Sequence, residues 1–275
     1  MKFLEKNKKL ICIIAVLCFA LTLVLSLVNL LGSIGTLFSS FKHWTMMMGG
    51  WNLFNAPDRF FHSNFFWSQT LESLAPGFFS ILSILLGMIC TLLFGICALR
   101  NMKKGSRKLL AVAGVVMLLI AANSFLSTVV SSVLLISFRD YAVDLAYIIG
   151  VLVGGVIGLL PVVLFALFLI IGAFIKAKGP AMPIISAVVV LLYGGFIAIA
   201  SIVTIIFFFA TPTYGYGNIY AICQLLSTLM GAGAAIIQPL GLLLLVPVAF
   251  NICKPAPVAA EEAPAEEAPA EISAE

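Results

Sequence analysis

Charge is what this chain has least of. Of its 275 residues only 9% are Asp, Glu, Lys or Arg, against about 25% in an ordinary soluble domain. Hydrophobic residues make up 63%, so a water-soluble globule with a charged shell is excluded. Cysteine is scarce as well, at six residues with no C-x-x-C pair. That excludes a disulfide scaffold and offers no thiolate metal site. The 22 glycines follow no three-residue period, which excludes a collagen-like helix. Walker and dinucleotide-binding glycine loops are absent. The basic residues are few and scattered, so no nucleic-acid partner is expected.

What is there instead is long apolar sequence. A hydrocarbon core about 30 Å thick takes about 20 apolar helical residues to cross. Six such runs occur, at Leu10–Leu31, Phe78–Leu99, Leu109–Ile136, Ala146–Ile175, Ile184–Ala210 and Ile219–Phe250, and none contains an ionisable Asp, Glu, Lys, Arg or His. They are apolar on all sides, whereas lipid-facing barrel strands alternate over about 10 residues. The fold class expected is therefore all-α, a polytopic membrane helix bundle of six transmembrane helices. Residues 1–250 form the membrane domain. The rest, 251–275, is a Pro-, Ala- and Glu-rich tail too poor in apolar surface to order, and it is expected to be disordered in the cytoplasm.

Orientation follows from the loops. With a cytoplasmic amino terminus, twelve Lys and Arg fall on the inner side and only Lys42, Arg59 and Arg139 on the outer. The positive-inside rule then puts both termini in the cytoplasm, in a multi-pass protein of the cell membrane, with the compact loops of a bacterial inner-membrane protein. The first run is read as an uncleaved helix, because it is too long for a signal peptide and ends in no small-x-small site. The short basic loops RNMKKGSRK and KAKGPAMP have anionic lipid headgroups as their natural partner.

The same loops divide the spans into three two-helix hairpins. A 78-residue shift lays Gly155 on Gly233 and Pro161 on Pro239, and a 74-residue shift lays Ser127 on Ser201. These matches suggest a repeated hairpin, into which the first pair fits poorly. Its outer loop, about Phe38 to Gly77, holds all three tryptophans and both histidines, and is expected to lie along the interface or cap the bundle. His43, Met46, Met47, Met48 and His62 could be drawn as a soft copper cluster, but nothing in their spacing enforces that geometry. No metal or other cofactor is expected. Cys90 and Cys97, seven apart on one helix face, read as packing residues.

Neutral polar residues are the remaining candidates. Asn123, Ser127 and Ser131 recur every four residues on the third span, and Thr22, Ser26, Asn29 and Ser33 sit in a similar line on the first. Gln224 and Gln238 are fourteen apart on the sixth, about four turns, which places them within some 40° of each other around the axis. Such side chains either tie helices together or line a wet path, and the tying role is the more frequent. Gly150, Gly154 and Gly158 make two overlapping G-x-x-x-G steps on the fourth span, and Gly231 lies in a similar stretch of the sixth. With Pro161, Pro239 and Pro247 expected to bend these two helices, the pattern predicts a close-packed fourth and sixth pair. A nucleophile without a buried base is a poor catalyst, so no enzyme is expected. Two functions remain: a scaffold or accessory subunit with a membrane-protein partner or a second copy, or a channel or carrier for a small neutral or lipophilic solute.

Overall fold

The computed structural model describes residues 6–47, 64–103, 107–138, 145–175, 181–210 and 217–251. They form six helices, α1 (Lys8–Met47), α2 (Asn64–Lys103), α3 (Arg107–Phe138), α4 (Leu145–Phe174), α5 (Ala181–Ala210) and α6 (Gly217–Asn251), and no strand occurs among the described residues. Each helix is long and apolar enough to cross a bilayer. The chain is thus an all-helical integral membrane protein. Residues 252–275 of the tail lie outside the described residues.

The first two helices are longer than hydropathy alone indicates. Each has 40 residues, about 60 Å at 1.5 Å per residue and twice the hydrocarbon thickness. Hydroxyl residues such as Ser33 and Thr36 lower the apolarity of a segment without breaking its helix. The Thr36 hydroxyl donates back to the Gly32 carbonyl at 2.9 Å, the i−4 bond that such residues favour. The supposed outer loop from Phe38 to Gly77 is therefore largely helix. Only residues 48–63 separate α1 from α2, and they lie outside the described residues, as do the side chains of His43, Met46 and Met47. The earlier start of α2 also brings in Pro76, which the shorter apolar run had missed.

Consecutive helices pack as hairpins, α1 on α2, α3 on α4 and α5 on α6, and α2 also packs on α3. The most extensive pairing, however, is between α1 and α6, while α4 meets α5 only sparingly. The bundle is thus a ring, closed firmly by α1 and α6 and loosely between α4 and α5. Ile11, Cys12, Met102 and Val248 form one apolar cluster, which brings the start of α1 and the ends of α2 and α6 to the same end. That end also carries Arg100, Lys103, Arg107 and Lys108 and is called here the basic end.

The core is not centred in the bundle. Phe19, Phe94, Leu110, Phe165, Leu169, Val190, Leu242, Leu245 and Phe250 are fully buried, and each lies in the half of its helix nearer the basic end. The rings interlock: Phe19 stacks on Phe94 at 5.8 Å between centroids, and Phe165 on Tyr193 at 4.4 Å. Cys90 and Cys97 belong to this core, with the Cys90 thiol directed at the Ala113 carbonyl at 3.7 Å.

The expected close pair of α4 and α6 is not formed. The two helices meet at Phe250, whose ring packs edge-on to Phe168 at 5.7 Å and lies where a Cβ on Gly172 would be 2.7 Å from it. A Cβ on Gly150, Gly154 or Gly158 would meet nothing within 4 Å among the described residues. Small residues permit close approach without choosing the partner. Here α1 has taken the small-residue face of α6, and α4 instead lays Gly155 against Thr128 of α3, where a Cβ would sit 2.9 Å from the threonine methyl.

Candidate functional site

Three separate polar junctions tie the helices together. The first, between α1 and α6, is built around Asn29. Its Oδ1 accepts from the Ser227 hydroxyl at 2.7 Å and from Ser33 at 3.4 Å, and the two hydroxyls are 2.9 Å apart. Glycine makes this junction possible. A Cβ on Gly231 would stand 2.9 Å from Asn29 Nδ2, and one on Gly32 would stand 2.8 Å from the Cys223 carbonyl oxygen. The second junction joins α2 and α3, where Asn123 Nδ2 donates to the Ser83 hydroxyl at 2.7 Å and to the Phe79 carbonyl at 2.8 Å. In the third, Gln238 Nε2 of α6 donates to Thr91 Oγ1 of α2 at 3.2 Å.

The polar residues singled out by sequence are therefore dispersed rather than gathered. Asn29, Asn123 and Gln238 belong to three different helix contacts. Ser127 and Ser131 lie half-buried along α3 beside Thr128 and Ser132, whose hydroxyls bond back to Ser124 and Thr128 carbonyls. Ser26 is half-buried on α1.

Gln224 stands apart from these junctions. It lines a cavity of about 340 Å³ between α1, α2 and α6, away from the basic end. Its Oε1 is buried and, among the described residues, accepts no hydrogen bond. From α1 the walls include Ser33, Thr36 and Ser40; from α2 they include Ser80, Pro76 and Gly77; Tyr220 and Ser227 come from α6 with Gln224. The polar pattern in the sequence includes Gln224 and Ser33 but not their companions Thr36, Ser40, Pro76 and Ser80, and Thr36, Ser40 and Pro76 gain meaning only once the two helices extend past their apolar runs. Gly32 and Gly35, three apart, form no G-x-x-x-G step, although a Cβ on either would meet α6 within 3 Å.

At the basic end Arg107 closes the bundle. Its guanidinium donates to the Phe250 carbonyl at 3.0 Å and to the Ile175 carbonyl at 3.2 Å, and lies 5.7 Å from the centre of the Phe250 ring. The last carbonyls of a helix lack intrahelical partners and carry partial negative charge, so one side chain satisfies the ends of both α4 and α6. This basic residue thus serves helix ends, whereas Lys103 and Lys108 are exposed.

No grouping of three or more His, Cys, Asp or Glu residues is placed to hold a metal among the described residues. The site defines a membrane protein with a polar recess in a helical bundle, and comparison with known proteins adds no family: no family model, curated protein or solved structure matches the chain.

Proposed function

We propose that this chain is a non-enzymatic scaffold or accessory subunit of the cell membrane, oriented with both termini in the cytoplasm. The observation that carries this reading is the use of the polar side chains. A carrier would bring Asn29, Asn123, Ser127 and Gln238 to one hydrated space, whereas Asn29, Asn123 and Gln238 each bond a neighbouring helix. Towards the basic end the bundle is filled by stacked rings and capped by Arg107. Catalysis in the membrane would need a base, and the six apolar runs contain no Asp, Glu, Lys, Arg or His. The partner in this reading is another membrane protein or a second copy of the chain, with anionic headgroups against the exposed Lys103 and Lys108.

A carrier for a small neutral solute is the second reading, favoured by the cavity beside Gln224. Solute flux into proteoliposomes separates the two. The scaffold reading expects the rate of empty liposomes for a panel of neutral solutes, and copurification of a stoichiometric partner or a stable homo-oligomer. Flux above that rate, removed by Asn29→Leu, would replace it with the carrier. For orientation, reporter fusions at Lys104 and Glu266 are expected to be cytoplasmic, and periplasmic signals from both would reverse it.

A further inference from the structure

We infer that the cavity between α1, α2 and α6 is a binding site for a neutral polyhydroxyl group of about monosaccharide size. The inference does not depend on whether the chain also scaffolds a partner. A volume of about 340 Å³ exceeds what one bridging water occupies, about 30 Å³, by roughly tenfold. It also falls within the ordinary range of small-ligand pockets, about 300–1,000 Å³.

The chemistry of the wall narrows the ligand. Hydroxyl oxygens from three helices and one amide line the space, and among the described residues no charged side chain does. An ion entering would lose its hydration with no opposite charge among these residues to compensate, so this wall suits an uncharged occupant. Gln224 Oε1 is buried and, among the described residues, lacks a donor, and a buried acceptor left unmet costs about 1–3 kcal/mol. A hydroxyl donor in the recess would relieve that cost, which an ester or ketone cannot do. The Ser33 and Ser227 hydroxyls of the wall are held by Asn29 and keep lone pairs that can accept. A group with several hydroxyls, each donating and accepting, meets this set, while Leu37, Pro76 and the Tyr220 ring offer apolar surface to its C–H face.

Such a group comes either as a free sugar or polyol or as the head of a glycolipid. Both are tested with the full chain in phosphatidylcholine nanodiscs. Calorimetric titration with methyl glucoside probes the free sugar, and native mass spectrometry of nanodiscs containing glucosyl diacylglycerol probes the lipid. One saturable site is expected in at least one arm, weakened tenfold or more by Gln224→Leu and by Ser80→Val, and indifferent to glucose 6-phosphate. Binding of methyl glucoside assigns the free source, and binding of the glycolipid alone assigns the lipid. If Gln224→Leu fails to fold, Ser80→Val decides, since Ser80 is an exposed side chain. Absence of a saturable site in both arms would overturn the inference. So would binding unchanged in the folded variants, or equal binding of glucose 6-phosphate.

Discussion

The half of the bundle nearer the basic end and the half away from it are built on different physics. In the first, large rings and branched aliphatics interlock, and every fully buried large side chain among the described residues lies there. In the second, glycines bring backbones together around hydroxyl and amide side chains, and a recess remains. Lipid is as apolar as leucine, so burial from water does not drive helices together within a bilayer. Shape and hydrogen bonding are what remain. One half has used shape to become solid; the other has used hydrogen bonding and kept space.

The contrast can be broken by substitution, and the largest effect is expected in the solid half. Phe94→Ala removes a fully buried ring stacked on Phe19. The cavity term, about 24 cal/mol per Å³, makes the expected loss of order 2–3 kcal/mol. Phe38→Ala, on a ring that is 70% exposed, should change stability by less than about 0.5 kcal/mol. Unfolding in mixed micelles by increasing dodecyl sulfate measures both, and equal losses would erase the distinction.

Next comes the glycine seam. Gly32→Ala places a Cβ 2.8 Å from the Cys223 carbonyl and 2.9 Å from the Ser227 amide nitrogen, backbone atoms that cannot turn aside. A destabilisation of about 1–3 kcal/mol is expected. Gly154→Ala, with nothing within 4 Å among the described residues, should leave the isolated chain as stable as before. Thermal aggregation of the two variants in detergent, followed by size exclusion, ranks them. The reverse order would restore α4 as the close-packed helix.

Arg107→Gln should have a smaller effect. Hydrogen bonds to charged groups contribute about 1.5–3 kcal/mol, but one of the two here is exposed to solvent screening, which brings the expectation to roughly 1 kcal/mol. Limited proteolysis near the ends of α4 and α6 should accelerate, because both lose the donor on their last carbonyls. The smallest effect belongs to Gln238→Leu, whose single bond to Thr91 is of the kind that averages about 0.6 kcal/mol between membrane helices. A loss of several kcal/mol there would reveal a junction far more cooperative than the geometry indicates.

The two halves also differ in how much of them could be read from sequence. Six uncharged apolar runs were enough to set the helix count, because hydrocarbon penalises buried charge at any position. Pairing was less legible, since the G-x-x-x-G steps at 150, 154 and 158 carry the stronger local signal while the contact is made by Gly32 and Gly35, only three apart. Only the shapes of all six helices together select the second pair for the α1 and α6 seam. Helix ends are poorly marked where hydropathy stands in for helicity: Gly32 and Ser33 end the first apolar run but not α1. The recess was illegible for the same reason, since Ser33, Thr36, Leu37, Ser40, Pro76 and Gly77 of its wall lie beyond the apolar runs of α1 and α2. Gln224 was recognisable alone as polar, but its missing donor is a property of the assembled helices.

Cysteine accessibility tests most directly whether one half is closed while the other is open to water. In a variant with the six native cysteines replaced, single cysteines at Ser80, Thr36, Thr91 and Ser186 would be exposed in the bilayer to a membrane-impermeant maleimide. Rapid labelling is expected at Ser80→Cys and Thr36→Cys, which line the recess, and none at Thr91→Cys or Ser186→Cys, whose native side chains are buried. Labelling of Thr91→Cys and Ser186→Cys as fast as Ser80→Cys would mean that water crosses the solid half, and would contradict the account.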